Sequence, residues 1–412
     1  MASAMTTAAP APSLFRNRTF VSLWLGQAIS VVGDGFHSVA LGIWVLQATG
    51  SASAMAMILS TRVVVSILLG AVGGTVVDRT DRRLLMISMH LIRFLTVGVI
   101  ALLIRAGETS LLPIIALTAV TAVASAFFGP AFQASLVNIV AREDLPRASG
   151  LLQVTMTVGQ IVGPFLGGAI VALFGGWAAL SGDALTFLAA AIAVVIGGAF
   201  PSPRRNGGQQ KSFWKDLTEG FRYVRHHQLA GSIMILAPVM NFFGNAIGVL
   251  LPVIAIKIWL STSIQFGLLE AMVPAGFAIG AVLIMANAKK LRRRGAWMMG
   301  GIAAAGAFIS ITALMPTVTA AMPVALLGGA SLSVANVLLQ VTLQAEVNPE
   351  LQGRVFGTLG SLTNVASPLS MMAAGFLGDA FSPVLIAAAA GVMLTLVAAG
   401  GYLFSSGIRT YD

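Results

Sequence analysis

The chain has 412 residues, of which 57% are hydrophobic and only 9% are charged, and its formal net charge is +10 at pH 7. A soluble domain carries about 25% charged residues. This composition therefore excludes a cytosolic enzyme, a disordered chain and a nucleic-acid-binding domain, and it predicts an all-α membrane protein with several spans.

The predicted membrane spans follow one another along almost the whole chain. Each span needs about 20 apolar residues, and charged residues with Gly, Pro and Ser clusters mark the breaks. The twelve predicted spans are 20–47, 54–77, 84–104, 111–135, 149–174, 178–199, 230–256, 265–287, 296–315, 320–345, 355–379 and 383–405. The uncharged run 295–345 is too long for one helix, and Pro316 and Pro323 mark a hairpin between two.

The lysines and arginines predict the orientation of the spans. Twenty of the 24 fall in segments on one side of the membrane and two fall on the other, while Arg62 and Arg93 lie within spans. Positive loops stay in the cytosol. Both termini are therefore predicted to be cytosolic, and the net positive charge needs no polyanionic partner.

The longest predicted loop, 200–229, joins two halves. It begins with prolines and glycines and continues as a basic amphipathic stretch, which predicts a helix lying on the inner membrane surface. Its apolar face consists of Phe213, Leu217, Phe221 and Val224. The chain is thus predicted to divide into a first half at 1–199, a linker at 200–229 and a second half at 230–412.

The two halves carry similar short patterns at similar positions. Ser30–Asp34 matches Asn241–Asn245 at an offset of 211, and Asp144–Gly150 matches Glu350–Gly357. Repeated six-helix halves are typical of transporters whose site lies near the membrane midplane between the halves.

The loop after the second span contains Gly74, Asp78, Arg79, Arg82 and Arg83. Their types and spacing resemble the signature loop of the major facilitator superfamily. The resemblance implies a gate at the inner side, where Asp78 would latch onto the start of span 11 and to Arg354. Asp81 replaces a glycine of the signature, and we expect it to tolerate the left-handed turn that glycine favours there.

The fifth span resembles the glycine–proline motif of antiporters in the same superfamily, which implies export. The motif residues after Gly150 are Gly159, Gly163, Pro164, Gly167 and Gly168. Three of these glycines recur every four residues and form a bare ridge on which another helix can pack closely. Pro164 removes a backbone hydrogen bond and permits a bend.

Three further segments are similar to the macrolide-efflux and enterobactin-exporter branch of the superfamily. They are Leu23–Gln27, Phe127–Ala131 and Gly353–Gly357. The resemblance implies a twelve-helix facilitator fold in two six-helix halves, located in the bacterial cytoplasmic (inner) membrane. It also implies a transporter working as a monomer in the lipid bilayer. The sequence has no cysteine, no HExxH spacing and no phosphate loop, so we expect no metal, no cofactor and no enzyme activity. One departure is that span 4 lacks the arginine found in many drug/proton antiporters.

In a facilitator fold, spans 1, 4, 7 and 10 line the central cavity, and polar residues on these spans are candidates for its lining. The candidates are Gln27, Ser30, Asn241, Asn245, Asn336, Gln340 and Gln344. Amides facing lipid are costly, so they must face protein or water. The alternative is that they serve only as hydrogen bonds between helices.

Ionisable residues inside spans are the candidates for proton coupling, because each is costly in a membrane. The candidates are Asp34, Arg62, His37, Glu270 and Asp183. Asp34 and Arg62 have similar predicted depths and could pair. Arg93 could instead bind a carbonyl or Asp34.

These features predict a secondary active exporter of small amphipathic organic compounds of a drug or macrolide type, exchanging them for protons by alternating access. The alternatives are an exporter of a siderophore or secondary metabolite, and a flippase for lysophospholipids.

Overall fold

The computed structural model describes residues 14–198, 200, 228–287 and 291–409. The amphipathic stretch predicted within the linker and the side chain of Asp78 lie outside this described part, so both remain predictions.

The first half consists of six long helices after a short 3-10 turn at Leu14–Arg16. They are α1 (Arg18–Thr49), α2 (Ala52–Arg79), α3 (Arg82–Arg105), α4 (Leu111–Ile139), α5 (Leu145–Phe174) and α6 (Gly176–Ile196).

The second half repeats this arrangement. Its helices are α7 (Gln228–Val253) with a π-helical turn at Ile254–Ile258, α8 (Ser263–Asn287), α9 (Arg294–Leu314), α10 (Val318–Glu346), α11 (Pro349–Ala380) and α12 (Pro383–Phe404), and a last turn, α13, covers Ser406–Arg409. Each long helix coincides with one predicted span and extends beyond it by a few residues at most ends.

Capping side chains fix where several helices begin. Asn17 accepts a hydrogen bond from the backbone N of Phe20 at the start of α1. Asp81 does the same for Leu84 at the start of α3, with a φ of −66°. The expectation of a left-handed turn at Asp81 is therefore wrong. The replacement of glycine by aspartate supplies an N-cap for α3 instead.

Eleven helices in the described part of the chain are long and apolar enough to cross a membrane. The long helix without a sufficiently apolar window is α11, because Gly, Ser, Thr and Asn recur along its first half. Its 32 residues nevertheless make it about 48 Å long. It packs between α2 of the first half and α7 of the second, so it belongs to the bundle.

The helix pairs that pack together in the first half recur in the second. The pairs α1–α6, α2–α4 and α3–α6 correspond to α7–α12, α8–α10 and α9–α12. The two halves meet through α2–α11 and α5–α8, which exchange under the same repeat. The all-α fold of two six-helix halves is therefore confirmed.

Two ends of the bundle are distinguished below. The predicted outer end carries the connections at 50–51, 106–110, 175, 259–262, 315–317 and 381–382, and the predicted inner end carries the other connections. The assignment of these ends to the two sides of the membrane rests on the charge pattern alone.

Candidate functional site

A cavity of about 970 Å³ lies between the two halves. Helices α1, α2 and α5 supply one side, and α7–α12 supply the rest. The wall is mainly apolar, and its large side chains include Met240, Leu251, Phe266, Phe308 and Phe356. Sites for small organic molecules typically measure about 300–1,000 Å³, so one amphipathic molecule of drug size fits.

Four of the seven predicted polar residues line this cavity, namely Asn241, Asn245, Asn336 and Gln340. The other three do not. Gln27 lies beside Met156, Ser30 is buried within the first half, and the exposed Gln344 lies near the end of α10. The polar stripe on a helix is longer than the part of that helix that faces the cavity.

The amides on α7 also join that helix to α11. Ser367 donates to Oδ1 of Asn241 at 2.9 Å, and Nδ2 of Asn245 donates to the Ser367 hydroxyl at 3.2 Å. Within the described residues, no donor reaches Oδ1 of Asn245. This oxygen can therefore accept a hydrogen bond from a molecule in the cavity.

A cluster of charged side chains borders the cavity on the side of the first half. Asp34 on α1 lines the cavity with 38% of its side chain exposed, and its Oδ1 lies 3.2 Å from an Nη atom of Arg93 on α3. Arg93 is buried, and its guanidinium stacks 3.8 Å above the ring centroid of Phe187 on α6. Of the two partners considered for Asp34, the structure places Arg93 at ion-pair distance.

A histidine–aspartate contact lies deeper in the same cluster. Nδ1 of His37 on α1 is 3.0 Å from Oδ2 of Asp183 on α6, and both side chains are buried. Asp183 also accepts a hydrogen bond from Thr186 at 3.4 Å and interacts electrostatically with Arg93. The cluster thus links α1, α3 and α6, and only Asp34 among its members lines the cavity.

The cluster brings together two carboxylates, one arginine and one histidine. Asp34 and Arg93 carry opposite charges and lie in contact, and Asp183 lies at hydrogen-bond distance from His37. Ionisable groups are thus gathered beside the cavity.

Glu270 and Arg62 also line the cavity. Glu270 on α8 accepts a hydrogen bond from the Ser38 hydroxyl on α1 at 3.0 Å, which connects the two halves. Arg62 on α2 is exposed to the cavity, and no carboxylate of the described residues lies within ion-pair distance of it. It is close enough to Arg93 for their charges to repel.

The glycine ridge of α5 packs directly on α1. A methyl group on Gly163 would lie 2.7 Å from the carbonyl oxygen of Val32, and one on Gly167 would lie 2.8 Å from Cα of Phe36. Gly159 faces Val31 in the same way. The ridge therefore allows α1, which carries the charged cluster, to lie unusually close to α5.

The last residues of the glycine–proline motif face the other half. Gly168 packs against the backbone of Ser263 at the start of α8, and the carbonyl of Pro164 lies against Gly267. These contacts close the cavity at the predicted outer end.

Part of the cavity wall lies near the predicted inner end. Met298, Leu343 and Phe356 line the cavity near this end of their helices. The cavity therefore extends towards the predicted inner end.

The residues of the signature loop lie where α2 ends and α3 begins. Gly74, Asp78 and Arg79 belong to the last turns of α2, and Arg354 is half-buried near the start of α11. Arg82 donates to the carbonyl of Ala134 at 3.1 Å, and Arg83 donates to that of Val195 at 2.9 Å. Cations near the C-terminal ends of α4 and α6 are favourable, so both arginines brace the inner end of the first half.

Sequence reasoning gave Arg93 only a secondary role, although it is central to the charged cluster. The available signal was that Arg93 is one of two basic residues inside spans, but depth alone favoured Arg62. Gln160 on α5, which also lines the cavity, was missed. It lies one residue beyond Gly159, in a motif where only the small residues drew attention.

Known proteins resemble this chain along most of its length. The family described as transmembrane secretion effector matches residues 7–411. Macrolide efflux protein A of Streptococcus pyogenes is 23% identical over 87% of this chain and 89% of its own length. The enterobactin exporter EntS of Citrobacter koseri is 28% identical over 92% of this chain and 89% of its own length.

The fold is also shared with solved transporters. A bacterial homologue of the human lysosomal transporter Spinster, in an inward-facing and unoccupied conformation, superposes with a TM-score of 0.75. The match covers 97% of this chain and 98% of that one, at 15% sequence identity.

The family match spans nearly the whole chain, and the relatives agree with the predicted branch of the superfamily. The prediction of a multi-pass protein of the bacterial inner membrane is confirmed as well. The chain belongs to the transmembrane secretion effector family of the major facilitator superfamily and is a membrane transporter of the efflux type, not an enzyme.

Proposed function

We propose that this transporter exports amphipathic organic molecules in exchange for protons, by alternating access of the central cavity. One observation carries the proposal: a large apolar cavity with a few amides borders a cluster in which Asp34 pairs with Arg93 and His37 contacts Asp183.

In this proposal, the proton and the substrate compete through the net charge of the cluster that contains Asp34, Arg93 and the His37–Asp183 pair. When the His37–Asp183 pair holds its proton, the cluster is neutral and the cavity attracts no cation. When the proton leaves towards the cytosol, Asp34 presents the excess negative charge to the cavity. A mildly cationic substrate then binds more strongly, and for a neutral substrate Arg62 can move towards Asp34 and take part in the balance. Such competition links the two ligands, as coupled exchange requires.

The second carboxylate of the cavity has a separate part in this proposal. Glu270 and Ser38 bridge the two halves beneath the outer closure, so their hydrogen bond breaks when the halves separate there. A proton arriving from outside can reach Glu270 once that closure opens. Glu270 therefore serves as an entry point for protons on the way to the cluster on α1 and α6.

The gating residues act at both ends of the cavity. Gly159, Gly163 and Gly167 keep α1 against α5, so the cluster moves with that helix. Pro164 and Gly168 form the contact with α8 that must open at the outer end. We assign the inner gate to the signature loop with Asp78 and to Arg354, as the resemblance implies.

The energy available is sufficient for efflux. One proton moving down 100 mV supplies about 2.3 kcal/mol. Since 1.4 kcal/mol is a factor of about ten, this sustains a concentration ratio of roughly 50.

The test is transport in inside-out vesicles with an imposed pH gradient across a panel of amphipathic compounds, comparing wild type with Asp34→Asn. We expect the variant to insert and bind substrate but to lose efflux driven by the pH gradient and the pH dependence of binding. Asp144→Asn is the matched control, because within the described residues that carboxylate pairs with the nearby Arg147 at the inner end. Near wild-type pumping by Asp34→Asn would exclude Asp34 from coupling.

Export of a self-made siderophore or metabolite is a second candidate, since relatives of this chain are named enterobactin exporters. A gene neighbourhood containing a biosynthetic cluster, together with accumulation of its product in a deletion strain, favours this candidate.

A further inference from the structure

The connection between α1 and α2, at the predicted outer end of the first half, is held by a carboxylate from the second half. Asp379, near the end of α11, accepts hydrogen bonds from the backbone N of Ala52 at 2.6 Å and of Ser53 at 2.9 Å. It also accepts one from the Ser51 hydroxyl at 2.5 Å. These are the first groups of α2, whose unpaired N–H donors favour an anion.

A cation from the second half holds the other side of the same connection. Lys257, in the π-helical turn after α7, donates to the carbonyl of Gly50, the residue that caps the end of α1 with a φ of 63°. The end of α1 has negative polarity and the start of α2 has positive polarity. The second half therefore presents a charge of opposite sign to each of these two helix ends.

The backbones approach closely around this contact. A methyl group on Gly375 would lie 2.9 Å from the carbonyl oxygen of Ala52 and 3.0 Å from Cα of Ser53. A methyl group on Gly378 would lie 3.3 Å from Cβ of Ala52. Small residues on both helices thus bring the carboxylate of Asp379 to the first turn of α2.

Another carboxylate at the same end differs from Asp379 in one respect. Glu108 accepts hydrogen bonds from the backbone N of Thr109 and Ser110, just before α4. Its partners belong to its own half. Bonds of this kind stabilise a loop, whereas the bonds of Asp379 and Lys257 must break when the two halves separate at this end.

We propose that Asp379 and Lys257 form an outer clasp, a pair of positioning residues that holds the cavity closed at the outer end and is released when the cavity opens there. The proposal rests on the alternating access proposed above. The signature loop predicts its counterpart, in which Asp78 at the end of α2 meets the start of α11. Asp379 would then join α2 and α11 while the outer end is closed, and Asp78 would join them while the inner end is closed.

The test uses the absence of cysteine in this chain. A single reporter, Leu251→Cys, places a thiol on the cavity wall near the outer end of α7. A membrane-impermeant maleimide is added to the outer side of intact cells, and the labelling rate reports how often the outer end opens. Hydrogen bonds to a charged group are among the strongest, so we expect Asp379→Asn to raise this rate about tenfold.

Three further variants identify the cause. Asp379→Glu should restore slow labelling at least in part, Lys257→Gln should raise the rate by a smaller factor, and Glu108→Gln should leave it unchanged. If Asp379→Asn does not fold, the labelling rate of Lys257→Gln alone tests the clasp. Unchanged or slower labelling in the clasp variants overturns the clasp, even if proton-driven transport is normal. A faster rate supports it, even if the vesicle assay shows no proton coupling.

Discussion

The two halves of the bundle have the same helix packing, but different side-chain contacts hold the helices together within each half. In the first half, α3 is tied to α1 and α6 through the guanidinium of Arg93, which pairs with Asp34 and stacks on Phe187. In the second half, the equivalent pair α9–α12 is tied by hydroxyl groups. Ser310 donates to the carbonyl of Ala388 at 2.8 Å, and Thr395 donates to that of Ala303 at 3.0 Å.

This difference suggests a division of roles between the halves. The position of Asp34 in the first half corresponds to that of Asn245 in the second, at the offset of 211. The carboxylate borders a cluster that can gain or lose a proton, whereas the amide binds a neighbouring hydroxyl and keeps one oxygen for the cavity. Most of the apolar cavity wall also belongs to the second half. One half is thus suited to the proton and the other to the substrate.

The largest expected effect is the loss of stability when Arg93 is replaced. Arg93→Leu leaves Asp34 and the buried Asp183 without their shared cation. Removing one partner of a fully buried ion pair costs about 3–5 kcal/mol. Because 38% of the Asp34 side chain is exposed, we expect a loss towards the lower end of that range. We expect a strong fall in the melting temperature of the detergent-solubilised protein and in the yield of folded protein on size exclusion.

A second variant separates charge from packing at this position. Arg93→Leu combined with Asp34→Asn removes both members of the Asp34–Arg93 ion pair, so the double variant should recover part of the lost stability. If the double variant is no more stable than Arg93→Leu, the guanidinium stabilises the first half by packing on Phe187 and not by pairing.

The next prediction concerns transport. It uses a variant in which the corresponding residues Asp34 and Asn245 are exchanged. In the double variant Asp34→Asn with Asn245→Asp, the carboxylate moves to the half that lacks an equivalent of Arg93 and of the His37–Asp183 pair. We expect the accumulation ratio in vesicles to fall from roughly 50 to near unity, a loss of about 2.3 kcal/mol of coupling per proton. Restored pH-driven efflux in the exchanged variant would show that the first half has no special part in coupling.

A smaller effect is expected at the ridge that carries α1. Gly163→Ala puts a methyl group 2.7 Å from the carbonyl oxygen of Val32, and both helix backbones are rigid. Overpacking of this kind costs about 1–3 kcal/mol. Gly150→Ala, in the same motif but in open space, is the matched control. Equal melting temperatures for the two variants would contradict a packing role of the ridge.

Much of the fold was predictable because the membrane imposes it. Span length and apolar composition each depend on one stretch of chain, and all the long helices appear where predicted. The ridge on α5 was predicted for the same reason, since its period belongs to one helix. The spacing of the glycines does not predict which helix packs on the ridge, and in the structure that helix is α1.

The site was less predictable because its contacts join distant helices. Depth predicted a pair between Asp34 and Arg62, but the rotation of each helix about its axis decides which arginine faces α1, and no local pattern fixes that rotation. The same limit explains why Gln27, Ser30 and Gln344 do not line the cavity. Asp379 gave no signal at all, because its partners at the start of α2 are more than 300 residues away in sequence.

The smallest expected effect tests the hydroxyl ties of the second half. Ser310→Ala removes the hydrogen bond to Ala388 and leaves no charged group behind. Because the carbonyl of Ala388 lies within α12 and keeps its helical partner, the loss should be close to the average of about 0.6 kcal/mol for hydrogen bonds between membrane helices. The melting temperature should fall by an amount well below that of Arg93→Leu. Ser88→Ala is the control, since that exposed hydroxyl bonds only within α3. A cost for Ser310→Ala comparable with that of Arg93→Leu would mean that hydroxyl ties hold the second half as firmly as charge holds the first. The contrast between the halves would then lie in proton binding alone.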